Sequence, residues 1–308
     1  MIDGNRSREA LTSLGGAMTL GELAVDGFFI VSGYLILQSF QNSKSVYDYI
    51  RKRVMRIYPG FVCCAVIVVG FSPLIGSNLA AWGARDYARG ALDILFLNWP
   101  DIRGFPELKF HALNGAAWSI VYEFRCYLLV VFLAFAGIYR SKAGLLFVTL
   151  LLLVSHAIQW PTYIGPLAKM TGEPQLFIRM ASLFCVGGAY YEFRDRVKLN
   201  ASLAALAIVL LMPCLFVSGV AEPAFAILGG YLIFFFAFGI KSESLARING
   251  RQDISYGTYL YAWPIAGFLI YFFRFSSPLM LLLATLPLSL LAGWISWLAF
   301  ERWFVRTK

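Results

Sequence analysis

The sequence predicts an all-α polytopic membrane protein with about nine transmembrane helices. Three observations predict it. Only 14% of the residues are charged and 59% are hydrophobic, whereas a soluble domain carries roughly 25% charged residues. The deficit runs through the whole chain as apolar stretches near the length that crosses a bilayer, about 20 residues. The basic residues gather between alternate stretches, which is the positive-inside pattern.

The apolar stretches fall at about 24–41, 59–76, 117–137, 143–160, 176–192, 201–218, 224–240, 256–273 and 279–300. Ala91–Trp99 is too short to cross and reads as a re-entrant, interfacial or outer-loop segment. The longest connection, about 77–116, holds Pro100, Pro106 and several charges, and reads as an outer loop able to cap a site. No internal repeat stands out, so residues 1–308 read as a single domain.

Loop charge sets the orientation. With the N-terminus outside, 16 of the 26 Lys and Arg residues lie in inner loops and 9 outside, with Arg125 inside a span. The C-terminus is then cytoplasmic. Basic inner loops account for the net charge of +9 without a nucleic-acid partner; the partner implied is the lipid bilayer. Met1 to Gly21 is polar and Gly-rich and shows no cleavable signal. Cys63, Cys64, Cys126, Cys185 and Cys214 all sit in apolar runs without metal-ligand spacing, so they read as small hydrophobes, with no disulfide and no metal.

Several polar residues stand out against this background. In Arg51-Lys-Arg-Val-Met-Arg56, Arg53 and Arg56 are three apart and share a helix face. Two guanidiniums on one face can clamp phosphate oxygens; plain topogenic charge is the alternative. The cluster ends at Pro59, which opens the next apolar run. In Ala117-Trp-Ser-Ile-Val-Tyr-Glu-Phe-Arg125, Trp118, Ser119 and Glu123 enter the third span, and Ser119 and Glu123 share a face. An ionisable group at membrane depth is a functional candidate; an interfacial Glu123 paired with an outer arginine is the alternative. Asp26, at the mouth of the first span, shares a face with Gly33, where another helix could approach closely; a simple capping acid is the alternative. Tyr256, Tyr259 and Trp263 form one stripe leading into Pro264, consistent with an aromatic belt and a kinked helix. His111 and His156 are the two histidines. Either could act as a base, although neither lies in a catalytic motif and each also reads as a satisfied interfacial residue.

Together these pieces resemble the acyltransferase-3 family of bacterial integral-membrane O-acyltransferases. The matching stretches are Val25-Asp-Gly-Phe-Phe-Ile-Val-Ser-Gly33, Lys52-Arg-Val-Met-Arg-Ile-Tyr-Pro59 and Asn114-Gly-Ala-Ala-Trp-Ser-Ile-Val-Tyr-Glu-Phe-Arg-Cys-Tyr127. Leu183-Phe-Cys-Val-Gly-Gly-Ala189, Ile254-Ser-Tyr-Gly-Thr-Tyr-Leu-Tyr-Ala-Trp-Pro264 and Phe300-Glu-Arg302 follow in the family's order.

The resemblance implies transfer of an acyl group, usually acetyl from acetyl-CoA, to a hydroxyl of a carbohydrate acceptor such as a surface glycan, in a bacterial inner membrane. No permanently bound cofactor is implied; acyl-CoA is a substrate. The family's Arg-x-x-Arg falls on Arg53 and Arg56, expected to hold the anionic part of coenzyme A. Its Trp-Ser-x-x-x-Glu pattern falls on Trp118, Ser119 and Glu123, which with Asp26 are expected to shape or polarise the central site. Family members usually carry one further span ahead of this point, with an arginine and, about three turns later, the histidine taken as the base. The resemblance therefore implies a chain that starts after that span, either through a misassigned start or as a truncated paralogue with impaired or altered activity. The late motif, which includes histidine in some relatives, has Ala262 in its place. A transporter or glycan-export partner is the rival reading, since an intramembrane acid and a basic gate suit it too.

Overall fold

A computed structural model describes residues 9–158, 173–240 and 253–305. Lys169, Lys241, Arg247 and Arg251, counted above in loops, lie outside the described residues, as do Arg6, Arg8, Arg306 and Lys308. Among the described residues the regular structure is helical, apart from one isolated antiparallel bridge between Arg103 and Ala112.

The main helices are α1 (Leu20–Gln41), α2 (Val46–Phe71), α3 (Ala84–Leu95), α4 (Trp118–Phe135), α5 (Lys142–Ala157), α6 (Pro174–Glu192), α7 (Ala201–Cys214), the helical run α8 (Ala221–Gly239), α9 (Ser255–Phe273) and α10 (Pro278–Ser296). Each predicted span coincides with one of these, α3 being the extra helix. Five stretches are long and apolar enough to cross a membrane: α1, Val46–Ile75, α4, α8 and Pro278–Phe304. Helices α6 and α9 have 19 residues each, and α5 and α7 are shorter apolar helices. Their outward faces are greasy: on α10, Leu282, Leu283 and Leu286 are 58%, 64% and 51% exposed. Water would penalise such a face, whereas lipid accepts it and leaves the helix to satisfy its own backbone.

Local chemistry explains where these helices begin. Thr19 and Glu22 form a capping box, with Thr19 Oγ1 accepting from Glu22 N and Glu22 Oε2 accepting from Thr19 N at 2.8 Å. Helix α1 therefore starts at Leu20, earlier than the apolar run. Asp26 is carried into its second turn and is not the capping acid at the mouth of the span. Helix α2 likewise starts at Val46, so the basic cluster is already helical and Pro59 lies inside the helix instead of opening it. Ser141 and Asn200 cap α5 and α7, and Pro174 and Pro278 occupy first-turn positions where a missing N–H costs nothing.

The chain divides into two compact units, with boundaries inside α2 and α4. One unit contains residues up to Tyr49 and from Tyr122 to the end of α8. Its centre is α1 packed on α6, which also packs on α5. The α1–α6 contact is backbone on backbone. A Cβ at Gly33 would lie 1.9 Å from the Phe184 carbonyl oxygen, and one at Gly187 would lie 1.8 Å from that of Ile30. The close approach expected at Gly33 is therefore made by α6.

The other unit holds Ile50–Val121 and the C-terminal helices, with α9 packed on α10. Pro264 lies inside α9 and has no N–H for the Leu260 carbonyl one turn back. Asn114 Nδ2 donates to that carbonyl at 2.9 Å and fills the vacancy. The predicted outer loop contains α3, whose described face is mostly exposed and which packs through Gly90. The stripe on α9 is not a plain aromatic belt. Tyr256 Oη donates to the Ile57 carbonyl at 3.0 Å, Tyr259 Oη to that of Ala116 at 2.5 Å, and Trp263 Nε1 to that of Ala112 at 3.1 Å. Each polar tip fastens a neighbouring stretch of main chain.

Candidate active site

Asp26 is completely buried. A buried carboxylate needs a paired charge, and α6 supplies one. Arg179 donates through Nη2 to both Asp26 oxygens at 3.0 Å. The same guanidinium lies 3.2 Å from Glu222 Oε1 in the first turn of α8. The other Glu222 oxygen, Oε2, receives a hydrogen bond from His156 Nε2 in the last turn of α5. The result is a continuous chain, Asp26–Arg179–Glu222–His156. It lies at the end of this unit where α1, α6 and α8 begin and α5 finishes. Helix N-termini favour anions such as Asp26 and Glu222, and a helix C-terminus favours a protonated histidine. Arg179 Nε is buried without a hydrogen-bond partner among the described residues.

Two cavities adjoin this chain. One, of about 190 Å³, is lined by Ser155, His156, Glu173, Gln175 and Arg179, among others. The second, of about 140 Å³, is lined by His156, Glu222, Ser218 and neighbours. His156 borders both, and its side chain is 20% exposed.

Glu123 is also buried, in the early turns of α4. Its Oε1 accepts from Tyr127 Oη at 2.5 Å and from Ser32 Oγ on α1 at 3.5 Å. Asp26 and Ser32 are six residues apart on α1, about 9 Å along the axis and on different sides of the helix. The two predicted acids are thus held by the same helix, at different levels and facing different neighbours. Arg125 stacks over the Tyr122 ring at 5.2 Å.

Ser119 is buried, and its Oγ meets Tyr259 Oη at 2.7 Å. Because the Tyr259 proton goes to the Ala116 carbonyl, Ser119 is left to donate to the phenol. That bond ties α4 to α9 and gives the serine no base. Trp118 is 40% exposed.

Arg53 and Arg56 lie in the early turns of α2. Arg56 pairs with Asp253 at 2.6 Å and sits over the Tyr256 ring, while its Nη1 is buried without a hydrogen-bond partner among the described residues. Glu301, predicted only as part of a terminal motif, is buried, accepts from Ser296 Oγ at 2.8 Å, and lies close enough to Arg56 to feel its charge. His111 Nδ1 bonds the Phe105 carbonyl at 3.3 Å within its own loop, a satisfied structural histidine. Among the described residues no group of His, Cys, Asp and Glu could hold a metal ion.

Sequence reasoning missed Arg179 and Glu222. Arg179 counted there as an outer-loop charge, although it lies inside an apolar run four residues before Leu183. An arginine within a span is itself a signal for a buried partner.

The acyltransferase domain family, acyltransferase-3, matches residues 2–298. A curated relative is the O-acetyl transferase of Shigella phage Sf6, 28% identical over 258 residues, which cover 81% of this chain and 75% of the relative. No solved structure matches. The chain therefore belongs to the acyltransferase-3 family and is an acyltransferase built as a helical membrane protein.

Proposed function

We propose that the protein moves an acyl group, acetyl in the first instance, from acyl-CoA to a hydroxyl of a glycan, in a bacterial inner membrane with the C-terminus cytoplasmic. The observation that carries this reading is the match to the acyltransferase-3 family over residues 2–298. The name of the phage Sf6 relative, O-acetyl transferase, supports acetyl and an oxygen acceptor.

Arg53 and Arg56 are the donor-binding residues in this reading. They share one face of a helix, and loop charge assigns the start of α2 to the cytosol, where acyl-CoA is found. Coenzyme A carries phosphates, and guanidiniums bind phosphate through paired charge-assisted bonds. Arg56 keeps one buried donor unmatched among the described residues, beside its contact with Asp253. The buried acids of the other unit, Asp26 and Glu123, hold ordered polar groups inside apolar surroundings. Trp118 and Ser119 shape the entry of α4.

The test is the dependence of thiol release on acetyl-CoA concentration, using purified full-length protein in nanodiscs. Losing one charge-assisted contact costs about 1.5–3 kcal/mol, so Arg53→Ala should raise the half-saturating concentration roughly tenfold or more. A wild-type protein that neither binds nor consumes acetyl-CoA would refute the reading.

A further inference from the structure

Resting on the reading of Arg53 and Arg56 as donor-binding residues, we propose that Asp253 holds the place of a donor phosphate on Arg56 and thereby sets how tightly acyl-CoA binds. Its carboxylate pairs with the guanidinium before the donor arrives and yields to the donor's phosphate. Three observations point to this exchange. The first is the contact itself. Asp253 Oδ2 lies 2.6 Å from Arg56 Nη2, a charge-assisted bond of the kind that a phosphate oxygen also makes. The Asp253 side chain is 41% exposed and that of Arg56 23%, so a dissolved anion can reach the pair. An ion pair open to water is weak, whereas a guanidinium and a phosphate match in charge and in bidentate geometry. A phosphate therefore competes well for this guanidinium.

The second observation is that Arg56 has supports other than Asp253. Its guanidinium lies over the Tyr256 ring, 5.6 Å from the centroid. The ring is fixed in turn by its Oη, which donates to the carbonyl of Ile57, the residue after Arg56, at 3.0 Å. Gly60, one turn further along α2, makes the room. A Cβ there would come within 2.8 Å of the Tyr256 ring and 3.2 Å of the Glu301 carboxyl carbon. Glu301 is 2% exposed and adds a buried negative charge within reach of Arg56. A guanidinium held by a ring and a buried carboxylate is pre-organised, so a change of partner at Nη2 loses little to reordering.

The third observation is where Asp253 sits in the chain. It lies in non-helical backbone just ahead of α9, and Ser255 Oγ donates to its Oδ1 at 2.7 Å in an exposed setting. The carboxylate can turn from Arg56 to Ser255 and water while α9 stays as it is. Asp253 acts through Arg56 and is a positioning residue, not a catalytic one.

The experiment measures thiol release against acetyl-CoA concentration with purified full-length protein in nanodiscs. Asp253→Asn keeps the shape of the side chain and removes the competing charge. It should lower the half-saturating concentration about two- to fivefold at a nearly unchanged maximal rate. Asp253→Glu keeps the charge and should stay near the wild-type value. In an Arg56→Ala background Asp253→Asn should have no further effect. A residue that only supports the fold would not tighten donor binding when altered. Failure of the donor reading looks different: wild type consumes no acetyl-CoA, or Arg56→Ala leaves half-saturation where it was. With Arg56 upheld, an Asp253→Asn value equal to or above wild type overturns the proposal, and so does a fall that persists in the Arg56→Ala background. Asp253→Ser decides by the same criteria if Asp253→Asn does not fold.

Discussion

Asp26 and Arg179 form the contact on which the site of their unit depends. With Asp26 fully buried and Arg179 at 15% exposure, neither charge has enough water to stand alone. Breaking such a pair from one side typically costs about 3–5 kcal/mol, while replacing both members with apolar residues of similar size is often close to neutral. Asp26→Leu or Arg179→Leu alone should therefore lower the melting temperature of the purified protein sharply, and the double variant should recover much of the loss. Melting curves of the four proteins check this, and additive losses would contradict it. At this scale the sequence was partly legible. An acid in an apolar run marked Asp26 as a candidate, and the Thr19-x-x-Glu22 signature that seats it two turns deep could be read from the residues alone. Its partner, 153 positions away, could not, because nothing local says which basic residue a folded chain will bring to a buried acid.

Helices meet here through absence of side chain. Gly33 and Gly187 let α1 and α6 touch backbone to backbone, and that approach brings Arg179 within reach of Asp26. Gly33→Ala forces a methyl into the Phe184 carbonyl, and overpacking of this kind costs about 1–3 kcal/mol or more. Gly70 in α2 has open space around it, so Gly70→Ala should be neutral or gain up to about 1 kcal/mol from helix propensity. Thermal stability of the two variants, measured side by side, separates packing from propensity. Asn114 gives a second test. Asn114→Leu leaves the Leu260 carbonyl that Pro264 left open with only the weak Cys64 thiol donor at 3.6 Å, and a poorly satisfied buried acceptor costs up to about 1–3 kcal/mol. Among the elements, apolar runs located all the helices that coincide with predicted spans, since hydropathy is a local property. Their starts were less legible, because the basic first turns of α2 are helical without being apolar. Helix α3 went unread for a related reason, since its polar residues interrupt the run that would have marked it. The stripe of Tyr256, Tyr259 and Trp263 was visible as periodicity, but the main-chain carbonyls it fastens belong to distant stretches.

For the whole molecule, membrane residence and family membership converge on one class of chemistry. The greasy outward faces of α10 place it in lipid, and the family match makes it an acyltransferase. In the proposed reading the charged acyl-CoA donor calls for an arginine pair, and Arg53 and Arg56 are the pair proposed for it. The most direct measurement is transfer itself. Inverted vesicles containing the full-length protein receive acetyl-labelled acetyl-CoA on their exposed cytosolic face, and ester-bound label is then counted in the glycan. The account expects label to appear with wild-type protein and to fall at low donor concentration in Arg53→Ala, recovering as acetyl-CoA is raised. Wild-type vesicles that leave the glycan unlabelled at every donor concentration would contradict it.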